Sequence, residues 1–249
     1  MQIGFIGAGN MATALARGWG GPVLVHDALR PRAEALVEEL GGEVVDSNAE
    51  LAQRVDAIVL AHKPQGLERV AAEVGGDAKA VISILGGVTV AALRAAYGAT
   101  PVVRMIPSVP VEVRQGVTCH ARDPEADPQL EREAIELFAR LGLVESVDEA
   151  QMGVATGLMS CAPAYIALVA EAQVDAGVRA GLPADVAGRL VGANLGGTAA
   201  LLQARDMDTL TVRRSVTSPG GITARGLAAL EHGGVRAAFD DAMQAVLAI

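Results

Sequence analysis

Aromatic side chains are nearly missing from this chain. One Trp, two Tyr and three Phe amount to 2% of 249 residues, while apolar residues reach 51%. The core must therefore be assembled from Ala, Val and Leu, small side chains that let helices approach closely. A soluble chain this apolar is also expected to cover surface in an oligomer. Cysteine is scarce too: Cys119 and Cys161 have no metal-binding or redox spacing, which predicts free thiols in a reducing cytosol and no metal site. Positive charge is in deficit, and a net charge of −9 argues against nucleic acid or an anionic membrane as partner. No apolar run reaches spanning length without Gly, Pro or a charged residue interrupting it. The chain opens directly on a strand pattern, which predicts no signal peptide and a cytoplasmic location.

Gln2–Gly7 reads as that first strand, and Gly7-Ala8-Gly9-Asn10-Met11-Ala12 follows it at once, opening a helical run. This is G-x-G-x-x-A between strand and helix. The first Gly makes the turn, the second lets a pyrophosphate sit on the helix N-terminus, and the small third residue lets helix pack on strand. A second strand, Val23–His26, ends at Asp27, eighteen residues after Gly9. An acidic residue there bonds the adenosine ribose hydroxyls and repels a 2′-phosphate, which favours NADH. Arg30 and Arg32 lie just beyond and can grip that phosphate, so the choice between NADPH and NADH stays open.

Further strands are expected at Glu43–Val45, Ala57–Ala61, Val81–Leu85, Val102–Ile106 and Gly116–His120, with helices between them and an amphipathic helix over Pro128–Leu141. Alternation at this spacing predicts a mostly parallel sheet covered on both faces, an α/β dinucleotide-binding domain over residues 1–148. Past Glu149 no strand pattern remains, and residues 149–249 read as an all-helical domain for substrate binding and dimerisation. Its long helices are Pro163–Arg179 and Ala184–Ala204, and the second carries Gly192, Gly196 and Gly197. Glycines inside a soluble helix cost stability unless another backbone packs on them, which predicts a close helix–helix contact there.

The stretch Thr217–Glu231 carries the second candidate site. Ser218 and Pro219 form a strong helix start, Gly220 and Gly221 leave their backbone N–H groups open to approach, and Thr223 faces out from the first turn. Leu227 and Leu230 have the spacing that seats the helix. Such a start suits a small anion such as a carboxylate. An ordinary capped helix is the competing interpretation of the same residues.

The run from Thr217 to Glu231 resembles the signature of the 1-pyrroline-5-carboxylate reductase family. Thr156-Gly157-Leu158, Pro163-Ala164-Tyr165 and Asp175-x-Gly177-Val178 extend the resemblance, as does Gly181-Leu182-Pro183, so that it covers essentially the whole chain. The resemblance implies reduction of a five-membered cyclic imine bearing one carboxylate to L-proline, the last step of proline biosynthesis. The glycine-bearing helix and the apolar helix from Pro163 point to a homodimer, or a higher oligomer of dimers. Ser218, Gly220, Gly221 and Ile222 would hold the carboxylate, and Thr223 would hydrogen-bond the ring nitrogen. Glu149 stands where the family has an acidic residue near the substrate. On the cofactor side the resemblance points to Ile6 through Met11, Asp27, Asn48, Ala61, Lys63, Pro64, the Ile84-Leu85-Gly86 turn and Ser215. His62, inside the family's Ala-x-Lys-Pro pattern, reads as a loop imidazole with no ligand role.

Several positions depart from the family. Asp27 replaces a small hydroxyl residue, Ser108-Val109 stands for Asn-Thr, Met159-Ser160-Cys161-Ala162 replaces glycines with larger residues, and Ser215 stands for Asn. A reductase-like chain of altered specificity, or kept as a dinucleotide-binding or regulatory module, is one rival. Another is an oxidoreductase of 3-hydroxy acids, which uses a lysine general acid in its helical domain. Lys63 and Lys79 are the only lysines, and that absence argues against it.

Overall fold

In the computed structural model, which describes residues 1–248, the chain forms two compact units, one over Met1–Pro163 and one from Ala164 onward. In the first, short runs of branched apolar residues make strands, and capped amphipathic stretches between them make helices. The order is β1 (Ile3–Ile6), α1 (Asn10–Trp19), β2 (Val23–His26), α2 (Arg30–Leu40), β3 (Gly42–Val44), α3 (Asn48–Arg54) and β4 (Ala57–Leu60). Then come α4 (Leu67–Val74), β5 (Val81–Ser83), α5 (Val90–Tyr97), β6 (Val102–Pro107), β7 (Gly116–Arg122), α6 (Pro128–Ala139), β8 (Gly142–Asp148) and α7 (Met152–Met159).

The eight strands form one sheet in the order β3-β2-β1-β4-β5-β6-β7-β8. Strands joined through a helix run parallel, because the helix returns the chain to the starting edge. β6 and β7 are joined only by a short 3₁₀ turn at Val109–Val113, too short for a crossover, and they pair antiparallel. Order reverses between β1 and β4, which opens a crevice at their carboxyl ends, the usual ligand position in such sheets. α1, α2 and α6 bury one face, where Phe5, Trp19 and Phe138 gather with Leu15 and Met105. α3, α4, α5 and α7 bury the other, around Leu51, Ile58, Leu60 and Leu93.

Two features differ from the sequence reading. β8 is a strand that the sequence did not reveal. It sits at the sheet edge with Leu143 exposed, so its alternation of apolar and polar residues is blurred. The boundary between units falls after Pro163 instead of after Asp148, because Met152 and Met159 of α7 are buried in the first unit's core.

The second unit is helical: α8 (Ala162–Arg179, its first two residues in the first unit), α9 (Ala184–Gln203), α10 (Thr209–Ser215), α11 (Ile222–His232) and α12 (Val235–Leu247). Its described residues form almost no core, since only Ala187 and Val212 are buried. Large apolar side chains stand open instead, among them Leu168 at 64% and Leu190 at 58% exposure. A Cβ added at Gly192, Gly196 or Gly197 would meet nothing within 4 Å, so the close contact expected there is not made within the chain. Glu149–Arg179 is long and apolar enough to cross a membrane by length and composition alone. Gly157 and Pro163 interrupt it, and α7 is packed in the first unit's core.

Candidate active site

The first candidate site begins where β1 passes into α1. Gly7 has φ +108°, and a Cβ there would lie 2.7 Å from the Ala61 carbonyl, so only glycine fits this turn. Gly7 donates its N–H to the His26 carbonyl at 2.8 Å. A Cβ on Gly9, by contrast, would project into open space with nothing within 4 Å. No side chain caps α1, so the N–H groups of its first turn stay available to an anion. These groups open onto a cleft of about 1160 Å³, lined on this side by Ile6, Gly7, Ala8, Gly9, Asn10 and Met11.

Asp27 and Asn48 line the same cleft. The Asp27 carboxylate accepts the Ala8 N–H through Oδ2 and the Leu29 N–H through Oδ1, both at 2.7 Å, which ties the glycine loop to the end of β2. Asn48 is only 4% exposed at the start of α3, where Ser47 caps the helix by accepting the Glu50 N–H. Its Nδ2 donates to Glu73 Oε2 at 2.6 Å, and its Oδ1 is buried with no partner. Arg30 is held by Glu34 and Asp46 outside the cleft lining, whereas Arg32 lines the cleft and has no ion pair among the described residues.

Beyond the end of β4 and β5, Ala61, Lys63, Pro64, Ile84, Leu85 and Gly86 complete the lining. His62 lies among them. Its Nδ1 is 2.8 Å from the Lys63 carbonyl, and its Nε2 is buried with no partner. Burial lowers the His62 pKa, the Lys63 carbonyl opposes that shift, and Arg69 adds to it. Sequence reasoning also missed Gln65, Gly66 and Arg69. Their position just past β4, at the reversal of strand order, is the signal that pointed to them. An open glycine cradle, a free helix N-terminus and two orphaned buried acceptors fit a nicotinamide dinucleotide.

The second candidate site lies in the helical unit and differs from the expected helix cap. Ser218 does not cap α11. Ser218-Pro219-Gly220-Gly221 is a β-turn closed by the Gly221 N–H donating to the Ser218 carbonyl at 3.0 Å, with Gly220 at φ +71°. α11 begins at Ile222 with Gly221 in the cap position and no side-chain cap. The N–H groups of Ile222, Thr223 and Ala224 find no acceptor among the described residues, and neither does the Thr223 hydroxyl. Ser218, Gly220, Gly221, Ile222 and Thr223 thus come together at one helix start. Leu230 does not seat the helix within the chain, being exposed.

Two expected residues have other partners. Glu149 Oε1 accepts from Arg104 Nη1 at 2.6 Å and from the Val90 N–H at 3.2 Å, so its carboxylate is engaged by a buried guanidinium and a helix start. Ser215 lies in α10 of the second unit, and its hydroxyl donates to the Val212 carbonyl at 2.8 Å. Ser108, where the family has Asn, is buried and accepts the Val117 N–H at 2.9 Å, pinning β6 to β7.

Residues 149–248 match a family model described as pyrroline-5-carboxylate reductase dimerisation, and residues 2–87 match one described as NADP oxidoreductase, coenzyme F420-dependent. Pyrroline-5-carboxylate reductase of Synechocystis sp. is 35% identical over 254 residues, covering 98% of this chain and 95% of that protein. The crystal structure of Plasmodium falciparum pyrroline carboxylate reductase with NADP bound aligns with a TM-score of 0.89 at 27% identity, covering 99% of this chain and 95% of that one. The reductase of Coxiella burnetii aligns with a TM-score of 0.86 at 30% identity, covering 98% and 95%.

Proposed function

The chain belongs to the pyrroline-5-carboxylate reductase family, and from that membership we propose that it reduces 1-pyrroline-5-carboxylate to L-proline with NADPH or NADH, the last step of proline biosynthesis. The observation that carries this reading is the start of α11, where three backbone N–H groups and the Thr223 hydroxyl are without partners among the described residues. A helix N-terminus of this kind accommodates the substrate carboxylate, and its dipole adds to the attraction. The imine nitrogen arrives protonated and donates to Thr223 Oγ1, which fixes the ring and the face that is reduced. Bound reduced nicotinamide supplies the hydride. The imine carbon accepts it, the C=N π pair moves to nitrogen, and a secondary amine results. No lysine lies in the second unit to act as a proton donor, and this reaction requires none.

Gly7 and Gly9 shape the pyrophosphate seat, Asp27 and Asn48 meet the adenosine half, and Ala61, Lys63, Pro64 and Ile84 to Gly86 lie along the rest of the dinucleotide. We place the protein in the cytoplasm as a homodimer, with dimers able to assemble further. Support comes from the free thiols, the matched dimerisation domain and a helical unit with almost no core of its own. A second copy covers the exposed faces of α8 and α9 and packs on Gly192, Gly196 and Gly197. Multi-angle light scattering checks this: a monomer at micromolar concentration refutes it. The reaction itself is tested by following NADH and NADPH oxidation side by side with the purified chain and the imine. No turnover with either cofactor refutes the reading.

A further inference from the structure

His62 presents an imidazole to the cofactor cleft. A backbone carbonyl only accepts, so the 2.8 Å contact with Lys63 places the imidazole proton on Nδ1. Nε2 is then a bare lone pair, and it is buried with no partner. Asn48 repeats the pattern: its Nδ2 is fixed as donor by Glu73, which leaves Oδ1 as a second orphaned acceptor. Glu73 also holds Arg69 at 2.6 Å, and a Cβ on Gly66 would lie 3.7 Å from Arg69 Nη2 and 3.2 Å from His62 Nδ1, so Asn48, Glu73, Arg69 and His62 neighbour one another in this cleft. Buried acceptors without donors are costly, and a ligand that brings donors is the natural remedy.

We propose that His62 is a specificity-determining residue for the dinucleotide, its Nε2 accepting a hydrogen bond from a hydroxyl or amine of the adenosine half and so favouring the cofactor without a 2′-phosphate. The proposal rests on the dinucleotide reading above. A ribose carries hydroxyl donors and adenine an amino donor, whereas a 2′-phosphate replaces a donor with acceptor oxygens. Facing Asp27, Asn48 Oδ1 and His62 Nε2, such a group meets three acceptors, and Arg32 and Lys63 are the cations of the lining that oppose them. Arg69 does not reverse this, because Glu73 holds it at 2.6 Å. Burial keeps the ring neutral, so it does not become a phosphate donor. Gly66 secures the placement, since a Cβ there would press to 3.2 Å from Nδ1.

The test is calorimetric titration of the full chain with ADP-ribose, NADH and NADPH, in the parent, His62→Phe and His62→Gln. The parent is expected to bind NADH more tightly than NADPH. His62→Phe, a ring without an acceptor, should weaken ADP-ribose and NADH about tenfold, which is about 1.4 kcal/mol. NADPH should weaken less, and His62→Gln, which keeps a carbonyl acceptor, should recover most of the loss. Unchanged ADP-ribose affinity in His62→Phe overturns the proposal, as does a loss shared equally by NADPH or by His62→Gln. Melting temperatures of the free chains are read alongside, and a loss of affinity that merely tracks lowered stability in both variants also overturns it. The titrations need no imine. Absent turnover with these affinities as expected refutes the reductase reading alone, and turnover with His62→Phe binding like the parent refutes this proposal alone.

Discussion

Glu149→Ala distinguishes a substrate contact from an internal strut. Arg104 is 6% exposed in the middle of the sheet, and Glu149 is its counter-ion at 2.6 Å. Deleting one partner of a fully buried pair costs about 3–5 kcal/mol, because the other charge is left stranded. The Glu149 side chain is 33% exposed, so water can reach the vacated space, and about 2–3 kcal/mol is the better expectation. The Val90 N–H at the start of α5 loses an acceptor as well. Urea unfolding followed by Trp19 fluorescence reads this directly, since Trp19 is in the same unit. Arg104→Met should be similarly damaging, and the double variant should cost less than the sum of the two by about 1–2 kcal/mol. If Glu149→Ala stays within about 0.5 kcal/mol of the parent while KM for the imine rises, the strut argument is wrong.

Asp27→Ser removes a charge and the carboxylate that accepts two backbone N–H groups, so absolute activity should fall through loosening of the Ala8 loop. That loss is common to both cofactors, and the NADPH/NADH ratio of kcat/KM should rise. An unchanged ratio means that Asp27 serves only the loop. Thr223→Ala should lower kcat/KM by roughly 10- to 100-fold with cofactor affinity unmoved, from the hydrogen bond lost and the donor left without a partner. Steady-state assays with the imine check it, and full activity excludes the threonine. In Gly221→Val the added Cβ meets Ser218 Oγ and the Ser218 carbonyl, which disrupts the turn before α11. Its activity should fall further, and parent-like kinetics would make that turn a simple cap. His120 is buried, with Nδ1 at 3.0 Å from Ser146 Oγ and Nε2 at 3.3 Å from Glu131 Oε1. Burial lowers its pKa, Glu131 opposing and Arg122 reinforcing the shift, and His62 is lowered by burial in the same way. The unfolded chain then binds more protons below about pH 6.5, so stability falls as pH drops through that value. His120→Gln should flatten this limb in unfolding titrations between pH 7 and 5, and an unaltered slope contradicts the assignment.

The parts of the fold that were legible in the sequence are those written in backbone requirements. Gly7 needs a positive φ and a bare Cα against Ala61, so the dinucleotide turn could be read from residue type and spacing. Strands β1 to β7 follow from apolar runs ended by turn residues. β8 did not, because an edge strand alternates weakly. The Ser218-Pro219 start was misread because Pro followed by Gly also encodes a β-turn, and the positive φ of Gly220 decides for the turn. Long-range pairing left no local trace. Nothing around Arg104 announces Glu149, and nothing around Asn48 announces that Glu73 would fix its amide and leave Oδ1 bare.

The scarcity of aromatics gives the molecule an unusual optical signature. The single indole, Trp19, donates its N–H to the Leu137 carbonyl at 2.9 Å and lies edge-on to Phe138 at 5.2 Å, inside the first unit. Its emission is therefore blind to the helical unit, whereas far-ultraviolet ellipticity is weighted toward the long α8 and α9. In the proposed dimer, a helical unit with almost no core of its own owes its order to the concentration of the second copy. On dilution the two signals should separate, ellipticity fading while the indole spectrum stays native, so that one cuvette distinguishes loss of assembly from loss of the fold.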